Sequence, residues 1–255
     1  MGTDCLGVVA AMPQEIAPLL RRMPGHRREK AQGCNLYRFT CGENPVVLIE
    51  SGMGEARAEA ATITLIRVAA PRAILSFGFC GGVTPGLKVG DMVLAERVYS
   101  MERGGPAEAP RPDSVLGELI LAASRESGAP LERGTFITAG GILDKRALAE
   151  SLGRGIPFPV LEMETAAVLR QAAVAGIPAA AIRGVSDAAD EELGFSIEEM
   201  CDAQLNVSPI RVLALLVAKP YLVPQLVRLA GHSRKAGVIL AAGVERALQA
   251  LSGRG

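Results

Sequence analysis

Short apolar runs alternate along the chain with segments whose apolar residues recur at helical spacing. One such run spans 5–11 and another spans 179–185. Short apolar runs are typical of buried strands, and strands that alternate with helices predict an α/β fold. We therefore expect a single three-layer α/β/α domain over 1–255, with a mixed, mostly parallel central sheet and a basic helical tail from about 203 to 255.

The stretch 160–190 shows this alternation most clearly. It opens on an apolar run, continues as an alanine-rich helical pattern that stops at Gly176-Ile177-Pro178, and ends with a second apolar run before Ser186-Asp187. A strand, a helix and a strand joined by short connections predict two parallel neighbouring strands. Glu164 and Asp187 would then lie at one edge of the sheet, where open α/β folds bind small ligands.

The remaining pattern predicts further elements of both kinds. Charged residues mark 24–33 as exposed, and glycines and prolines mark 100–112 as a surface loop that could cover the sheet edge. Helices are expected at 12–23, from 51–56 to about 69, at 114–127 and at 145–152. Strands are expected at 36–41, 45–50, 73–77, 92–99 and 132–139. In the tail, helices are expected near 196–203, 209–218, 220–230 and 233–251.

The charge balance limits the kind of partner. Lys and Arg number 27, as do Asp and Glu, and this formal net charge of zero argues against nucleic acid as a partner. The charge is unevenly distributed, because seven cations but only one acid, Glu245, lie from Ala203 onward. The tail is therefore basic and the preceding part of the chain is acidic.

The five cysteines have neither CxxC nor metal-ligand spacing, which favours a reduced protein. The first residues lack a basic segment ahead of the apolar run 5–11, and no apolar run approaches the roughly 20 residues that span a bilayer. We therefore expect a cytoplasmic protein.

A glycine-rich segment, Ser51-Gly52-Met53-Gly54-Glu55-Ala56, lies between a predicted strand and a predicted helix. This order has the outline of a dinucleotide-binding fingerprint, which also requires an acid at the end of the next strand to bind a ribose. No Asp or Glu lies between Glu59 and Asp91. Close approach of the backbone to another ligand is favoured, and a Rossmann-like nucleotide-binding module without turnover is the alternative of another class.

Four motifs resemble the nucleoside phosphorylase/nucleosidase superfamily: AAMPQE, SGMGEARAEA, SFGFCGGVTPGLKVGDMV and LEMETAAVLRQAAVAGIPAAAIRGVSDAAD. They extend from about Leu6 to Asp190. Their pattern is most similar to the nucleosidase branch, typified by methylthioadenosine/S-adenosylhomocysteine nucleosidase. The resemblance implies cleavage of the N-glycosidic bond of an adenine-type purine nucleoside, a small-molecule partner, no metal or organic cofactor, and a homodimer.

Cleavage of a bond between ribose and a base requires an acid that protonates the base and a group that activates water. The resemblance assigns these roles to Asp187 and Glu15, and assigns the ribose hydroxyls to Glu164. In ordinary structural roles, Asp187 would cap a helix and Glu15 would complement a helix dipole. Arg183 is expected to pair with a buried acid, and Glu162 is left without a role. Further substrate contacts are expected from Met12, Met53, Met163, Phe79, Gly81, Ile142 and Ser186. For the three methionines, the alternative role is to fill the core.

Two departures from the family pattern bear on the chemistry. Where phosphorylases carry a Ser and an Arg that hold phosphate, this chain has Phe79 and Ser76, which favours hydrolysis over phosphorolysis. In the alternative, a purine nucleoside phosphorylase, phosphate would be a co-substrate. Where nucleosidases carry an aromatic residue that stacks on the base, this chain has Ile142, which leaves the base identity open.

The tail sequence KPYLVPQLVRLAGHSRKAG is similar to that of hopanoid-associated members, which are thought to remove adenine from adenosylhopane. Clustered cations beside wide apolar helical faces suit a peripheral contact with an anionic membrane. A hydrophobic or lipid-linked 5′-substituted adenosine is then a candidate substrate, with the protein at the inner membrane surface. Alternatively, the tail helices close the domain or form a dimer interface.

Overall fold

The computed structural model of the protein describes residues 5–102, 105–141, 143, 145–152, 155–189 and 218–251. The described residues form ten strands, six α-helices and one short 3₁₀ helix, Pro220–Leu222. The strands are β1 (Leu6–Ala10), β2 (Arg27–Ala31), β3 (Cys34–Cys41), β4 (Asn44–Glu50), β5 (Ala73–Gly82), β6 (Met92–Glu102), β7 (Gly105–Glu108), β8 (Leu131–Thr138), β9 (Val160–Glu162) and β10 (Ala179–Asp187). The helices are α1 (Pro13–Leu20), α2 (Glu55–Ala69), α3 (Ser114–Glu126), α4 (Lys145–Leu152), α5 (Thr165–Val174) and α6 (Val223–Ala250).

Local sequence signals fix several of the helix ends. Pro13 is the first residue of α1, where its missing N–H costs no helical hydrogen bond. Asp113 caps α3, since its side chain accepts a hydrogen bond of 2.9 Å from the backbone N–H of Leu116. Gly176 adopts a φ of 66° directly after the residue that ends α5, a conformation that glycine takes without strain. These three ends agree with the sequence-based predictions.

All ten strands belong to one mixed sheet in the order β10-β6-β8-β9-β5-β1-β4-β3-β2, with β7 paired to β6. The pairs β1–β4, β1–β5 and β5–β10 are parallel, whereas β3–β4, β5–β9 and β6–β10 are antiparallel. Because β5 also pairs with β10, the strands β5, β10, β6, β8 and β9 form a closed circuit. The predicted α/β fold with a mixed central sheet is confirmed.

Helices cover both faces of the sheet, which gives three layers. On one face, small residues of α2 and α5, such as Ala61 and Ala166, pack in a core with Ile74 and Phe136. On the other face, side chains of α1, α3 and α6, such as Leu19, Ile120 and Leu240, pack in a second core. The abundance of alanine on α2 and α5 lets these helices approach the sheet closely.

The prediction that the two strands of 160–190 are parallel neighbours is wrong. β9 pairs with β5 in antiparallel orientation, and β5 pairs with β10 in parallel orientation, so β5 lies between them. The first strand contains only three residues, Val160–Glu162. The chain can bring a three-residue strand to the sheet in either direction. The sequence of so short a strand does not determine which strand it pairs with.

Three other expectations also change. The expected surface loop 100–112 contains β7, which forms a hairpin with the end of β6. The exposed segment 24–33 contains β2, which pairs with β3 through its backbone while its side chains stay in solvent. The strand expected to end at 77 continues through the glycines to Gly82, because β9 and β10 pair with this part of β5.

The described part of the tail is dominated by one helix, α6, where two helices were predicted at 220–230 and 233–251. Its face with Ala236, Leu240, Val244 and Leu248 is buried in the core, so this half of the tail closes the fold. The other predicted tail helices, at 196–203 and 209–218, lie outside the described residues except for residue 218. No helix within the described ranges is long and apolar enough to cross a membrane.

We expect the substitution Leu240→Ala to lower the free energy of unfolding by about 2–5 kcal/mol, because it leaves a cavity in a fully buried part of the core. Val238→Ala on the same helix is the matched control, since Val238 is 53% exposed, and should change this free energy by less than about 0.5 kcal/mol. Urea unfolding followed by circular dichroism measures both. Equal effects of the two substitutions would show that α6 does not belong to the core.

Candidate active site

Glu15 follows β1 directly and lies in the first turn of α1, with its side chain buried. Its Oε2 accepts hydrogen bonds from the backbone N–H groups of Ala11, at 3.0 Å, and Met12, at 2.8 Å. Its Oε1 accepts a hydrogen bond of 2.8 Å from the backbone N–H of Phe79 on β5. The carboxylate thus connects the ends of two parallel neighbouring strands.

Glu15 is shielded from water, and this makes its carboxylate a better proton acceptor. Burial raises the pKa of the Glu15 carboxyl, while the hydrogen bond from Phe79 and the charge of Arg183 act in the opposite direction. Gly78 leaves room for the carboxylate, because a Cβ on that residue would lie 2.7 Å from Glu15 Oε1. Glycine is therefore required next to Glu15 for steric reasons.

Glu162, at the end of β9, is buried and forms the centre of a hydrogen-bond network. Its Oε2 accepts hydrogen bonds from the backbone N–H groups of Glu164, at 3.0 Å, and Thr165, at 2.8 Å, and from the Thr165 hydroxyl. The hydroxyl of Thr138 donates to the other oxygen, Oε1. Glu162 thereby satisfies N–H groups at the start of α5 and fixes the backbone of Glu164.

Arg183 on β10 is only 1% exposed and supplies the positive charge of this network. Its Nη2 donates a hydrogen bond of 2.7 Å to Glu162 Oε2 and lies 3.9 Å from Glu164 Oε2. Its Nη1 lies 3.2 Å from the Ser76 hydroxyl, to which it donates. The expected pairing of Arg183 with a buried acid is confirmed, and the acid is Glu162.

Glu164 lies at the N-terminus of α5, and its Oε1 accepts a hydrogen bond of 2.9 Å from the backbone N–H of Gly54. The pKa of the Glu164 carboxyl is raised to about 8, chiefly by burial and also by the negative charges of Glu162 and Glu15, whereas Arg183 acts in the opposite direction. The negative charge of Glu15 is near enough to act on Glu164, and Arg183 acts on both carboxyls. The glycine-rich segment before α2 supplies a backbone donor to this cluster.

Asp187 ends β10, one residue after a register shift relative to β5 that aligns it with Gly81. Its Oδ1 lies 2.7 Å from the Ser186 hydroxyl, which is also 3.2 Å from the Cys80 carbonyl oxygen. A Cβ on Gly81 would lie 2.8 Å from Asp187 Oδ2, so glycine is required here as well. Asp187 does not cap a helix within the described part of the chain.

Lys145, the first residue of α4, contacts Asp187. Its Nζ donates to Asp187 Oδ2 and lies 3.1 Å from the carbonyl oxygen of Ala188. The side chains of Lys145 and Asp187 are 17% and 18% exposed, so the pair is partly shielded from water. Sequence reasoning missed Lys145, because a lysine at the start of a predicted helix carries no distinctive signal.

The two ionic groups follow one another along β5. Gly78 borders Glu15 and Gly81 borders Asp187, and three residues of strand correspond to about 10 Å. The charges of Arg183, Asp187, Glu162 and Lys145 all act on the thiol of Cys80, which lies between these glycines and whose pKa is raised chiefly by burial. The charges of Arg183 and Glu15 both act on Glu164, whereas Asp187 borders a different glycine of β5 and pairs with Lys145.

The other predicted contact residues differ in their placement. Met12, Met53 and Met163 are each partly exposed, whereas Met23 and Met92 are buried in the core. The ring of Phe79 packs beside α6, since a Cβ on Gly237 would lie 3.4 Å from its tip, so its backbone rather than its ring reaches Glu15. Ile142 lies outside the described residues.

No group of three or more His, Cys, Asp or Glu side chains is arranged to hold a metal ion in the described part of the chain. The three buried glutamates of the cluster instead face a guanidinium and backbone N–H groups. The arrangement offers one carboxylate as a proton acceptor, one as a hydrogen-bond acceptor for hydroxyls, and an acid paired with an ammonium about 10 Å further along β5.

Comparison with known proteins identifies similar chains. The family model described as the phosphorylase superfamily matches residues 6–217. The 5′-methylthioadenosine/S-adenosylhomocysteine nucleosidase of Geobacillus kaustophilus is 30% identical over 225 residues, which cover 82% of this chain and 95% of the relative. The enzyme of the same name from Halalkalibacterium halodurans is 28% identical over 224 residues, covering 83% and 97%.

Solved structures show the same fold. The nucleosidase of the same name from Helicobacter pylori superimposes with a TM-score of 0.77 at 16% identity, covering 98% of this chain and 99% of that chain. The futalosine hydrolase of Helicobacter pylori superimposes with a TM-score of 0.76, also at 16% identity, covering 97% and 98%.

The raised pKa of Glu164 predicts how stability depends on pH. The unfolded chain releases the Glu164 proton near pH 4.5, whereas the folded chain keeps it to about pH 8, so rising pH favours the unfolded chain between these values. We expect the free energy of unfolding of the wild type to fall with pH, relative to Glu164→Gln, by at most about 1.4 kcal/mol per pH unit.

Urea unfolding of both proteins at pH 5, 6, 7 and 8 measures this difference. Glu43→Gln, at an exposed position, is the matched control and should follow the wild type throughout. Parallel curves for wild type and Glu164→Gln would contradict the raised pKa.

Proposed function

Because the chain belongs to the phosphorylase superfamily, we propose that it is an enzyme that hydrolyses the N-glycosidic bond of a purine nucleoside. The observation that carries this proposal is the buried Glu15 carboxylate, which the N–H groups of Ala11, Met12 and Phe79 hold at the end of β1 and β5. In this proposal, Glu15 accepts a proton from the water that attacks C1′ of the ribose.

The position of Glu15 supports water rather than phosphate as the attacking group. The Phe79 N–H donates to Glu15, so it is not available to an anion, and the residue offers no side-chain donor. A carboxylate at this place repels phosphate, whereas it can accept a hydrogen bond from water. Ser76, the second position of the expected phosphate clamp, accepts a hydrogen bond from Arg183. Phosphorolysis is the alternative, and it differs from hydrolysis in that turnover depends on added phosphate.

Glu164 is suited to the ribose hydroxyls. Its Oε1 is held by the Gly54 N–H and its Oε2 lies 3.9 Å from Arg183, so the carboxylate is fixed while lone pairs stay available. A carboxylate accepts hydrogen bonds from two neighbouring hydroxyls, which matches the 2′ and 3′ positions of a ribose. Met53 and Met163, both partly exposed and close in sequence to Gly54 and Glu164, supply apolar contacts to the sugar.

Asp187 is suited to the base. It borders Gly81, which lies three residues, about 10 Å, further along β5 than Gly78, the residue that borders Glu15. In this proposal it passes a proton to the ring nitrogen N7 as the bond to C1′ breaks, so that the base leaves as a neutral molecule. Gly81 and Ser186 border this carboxylate and complete the base site.

We extend the proposal to an adenine-type base, since the two relatives compared in sequence are named as nucleosidases of adenine nucleosides. A hydrophobic 5′ substituent, as in adenosylhopane, is a finer proposal that rests on the tail. Because one apolar face of α6 is buried, a membrane contact of the described tail would involve its exposed apolar residues, which are Tyr221, Val223, Val227 and Val238. A homodimer is proposed on the family resemblance alone, and a cytoplasmic protein is proposed on the cysteine spacing.

A base-release assay tests the activity. We expect the wild type to release adenine from methylthioadenosine or adenosine without added phosphate, and to form the free sugar (methylthioribose or ribose) rather than its 1-phosphate. Asp187→Asn and Glu15→Gln should each lower kcat by about 10²–10⁴-fold, since each removes a proton-transfer group. Chromatography of base and sugar products measures both results. Inosine and a hydrophobic 5′-alkyl adenosine, assayed in parallel, identify the base and the 5′ group.

Asp113→Asn is the matched control, because asparagine also caps a helix and Asp113 lies at α3, away from the acids. It should keep wild-type activity. Turnover that depends on added phosphate would replace hydrolysis by phosphorolysis. Nucleoside binding without any base release would support the nucleotide-binding module instead.

The role of Glu164 predicts a pH dependence of substrate binding. Ribose hydroxyls donate to the ionised carboxylate, and below a pKa of about 8 the proton on Glu164 must leave first. KM for the nucleoside should therefore fall as pH rises from 6 to 8, by at most about tenfold per pH unit. Initial rates at fixed pH values measure this, and the 2′-deoxynucleoside is the control with a weaker dependence. A KM that is independent of pH would remove Glu164 from the ribose site.

A further inference from the structure

The ion pair of Lys145 and Asp187 raises the question of where the proton for the base originates. The Nζ of Lys145 donates to Asp187 Oδ2, and the Ser186 hydroxyl lies 2.7 Å from Oδ1, as its donor. Both oxygens of the carboxylate therefore already accept hydrogen bonds. In this arrangement neither oxygen presents a proton to a ligand, yet the base must be protonated as it leaves.

We propose that Lys145 is a positioning residue that holds Asp187 and supplies the proton that Asp187 passes to the leaving base. The inference rests on the proposed function, which it deepens by naming the source of the proton. Among the described side chains, the ammonium of Lys145 is the cationic proton donor in contact with Asp187. Arg183, the other buried cation nearby, pairs with Glu162 and is a guanidinium, which does not release its proton in proteins.

Cleavage moves one proton from Lys145 to the base and one proton from water to Glu15. The bond between C1′ and N9 breaks and its electron pair moves into the base, where the growing negative charge draws a proton to N7. The Lys145 ammonium first transfers a proton to the Asp187 carboxylate, which passes that proton to N7, so that Asp187 is again ionised and Lys145 is left as a neutral amine. Water adds its oxygen to C1′ and gives a proton to Glu15. Release of the Glu15 proton to solvent and uptake of one by Lys145 restore the starting state.

The local structure is built around this pair. A Cβ on Gly81 would lie 2.8 Å from both Asp187 Oδ2 and Lys145 Cε, so only glycine lets the two side chains meet over β5. The Ala188 carbonyl oxygen, 3.1 Å from Nζ, holds the ammonium from the other side. Lys145 starts α4, whose buried Leu148 packs with Ile137 and Val83 beside the strand ends, so the helix position is fixed.

The test compares two leaving groups in the wild type, Lys145→Met and Lys145→Arg. Adenosine needs its base protonated, whereas 4-nitrophenyl β-D-ribofuranoside releases a phenolate that is stable as an anion. With adenosine we expect both variants to lose at least about 30-fold in kcat, because methionine has no proton and arginine does not release one. With the nitrophenyl riboside both should stay within about threefold of the wild type, since this step needs no acid.

Three results would overturn the inference. Equal losses on both substrates would make Lys145 a purely structural residue, and no loss on either would make it a bystander. Full recovery by Lys145→Arg on adenosine would show that positive charge suffices without proton transfer. A wild type that cleaves neither substrate refutes the proposed function itself, and the Lys145 role with it. Thermal unfolding of each variant shows whether a loss reflects unfolding instead of chemistry.

Discussion

The buried pair of Arg183 and Glu162 is the interaction on which the arrangement of the acids depends. Three glutamates lie close together with little water, which is tolerable only because the guanidinium lies among them and backbone N–H groups satisfy their oxygens. Removal of one partner of such a buried pair costs about 3–5 kcal/mol, since the other charge is left uncompensated. Glu162 also holds the backbone at the start of α5, so the same pair fixes Glu164.

The other three acids, Glu15, Glu164 and Asp187, differ in their electrostatic surroundings. Burial is the main cause of the raised pKa of both carboxyls, which reaches about 8 for Glu164. Three backbone N–H groups also donate hydrogen bonds to the Glu15 carboxylate. Asp187 lies outside this group and is balanced by its own cation, Lys145. A polar ligand placed between the two groups would meet hydrogen-bond acceptors at one end and a carboxylate–ammonium pair at the other.

Much of this architecture could be predicted from the sequence, because local signals determine it. Buried strands read as apolar runs, and the ends of α1 and α5 follow from Pro13 and Gly176. The partner of β9 could not be predicted, since three residues do not encode their neighbour and tertiary packing selects it. The role of Glu162 could not be predicted either, because it depends on where α5 begins. The same holds for the contact between Lys145 and Asp187, which are 42 residues apart in the sequence. Non-local contacts of this kind leave no periodic trace in the chain.

The closed circuit of β5, β10, β6, β8 and β9 restricts how the protein can diversify. Each of these strands has hydrogen-bonded neighbours on both sides, so no single strand can slide or tilt without breaking a ladder on one of its flanks. Insertions and deletions within it would shift the register by whole residues and turn inward side chains outward. Variation among descendants of this chain should therefore accumulate in the connecting segments, while the strand scaffold is inherited nearly unchanged.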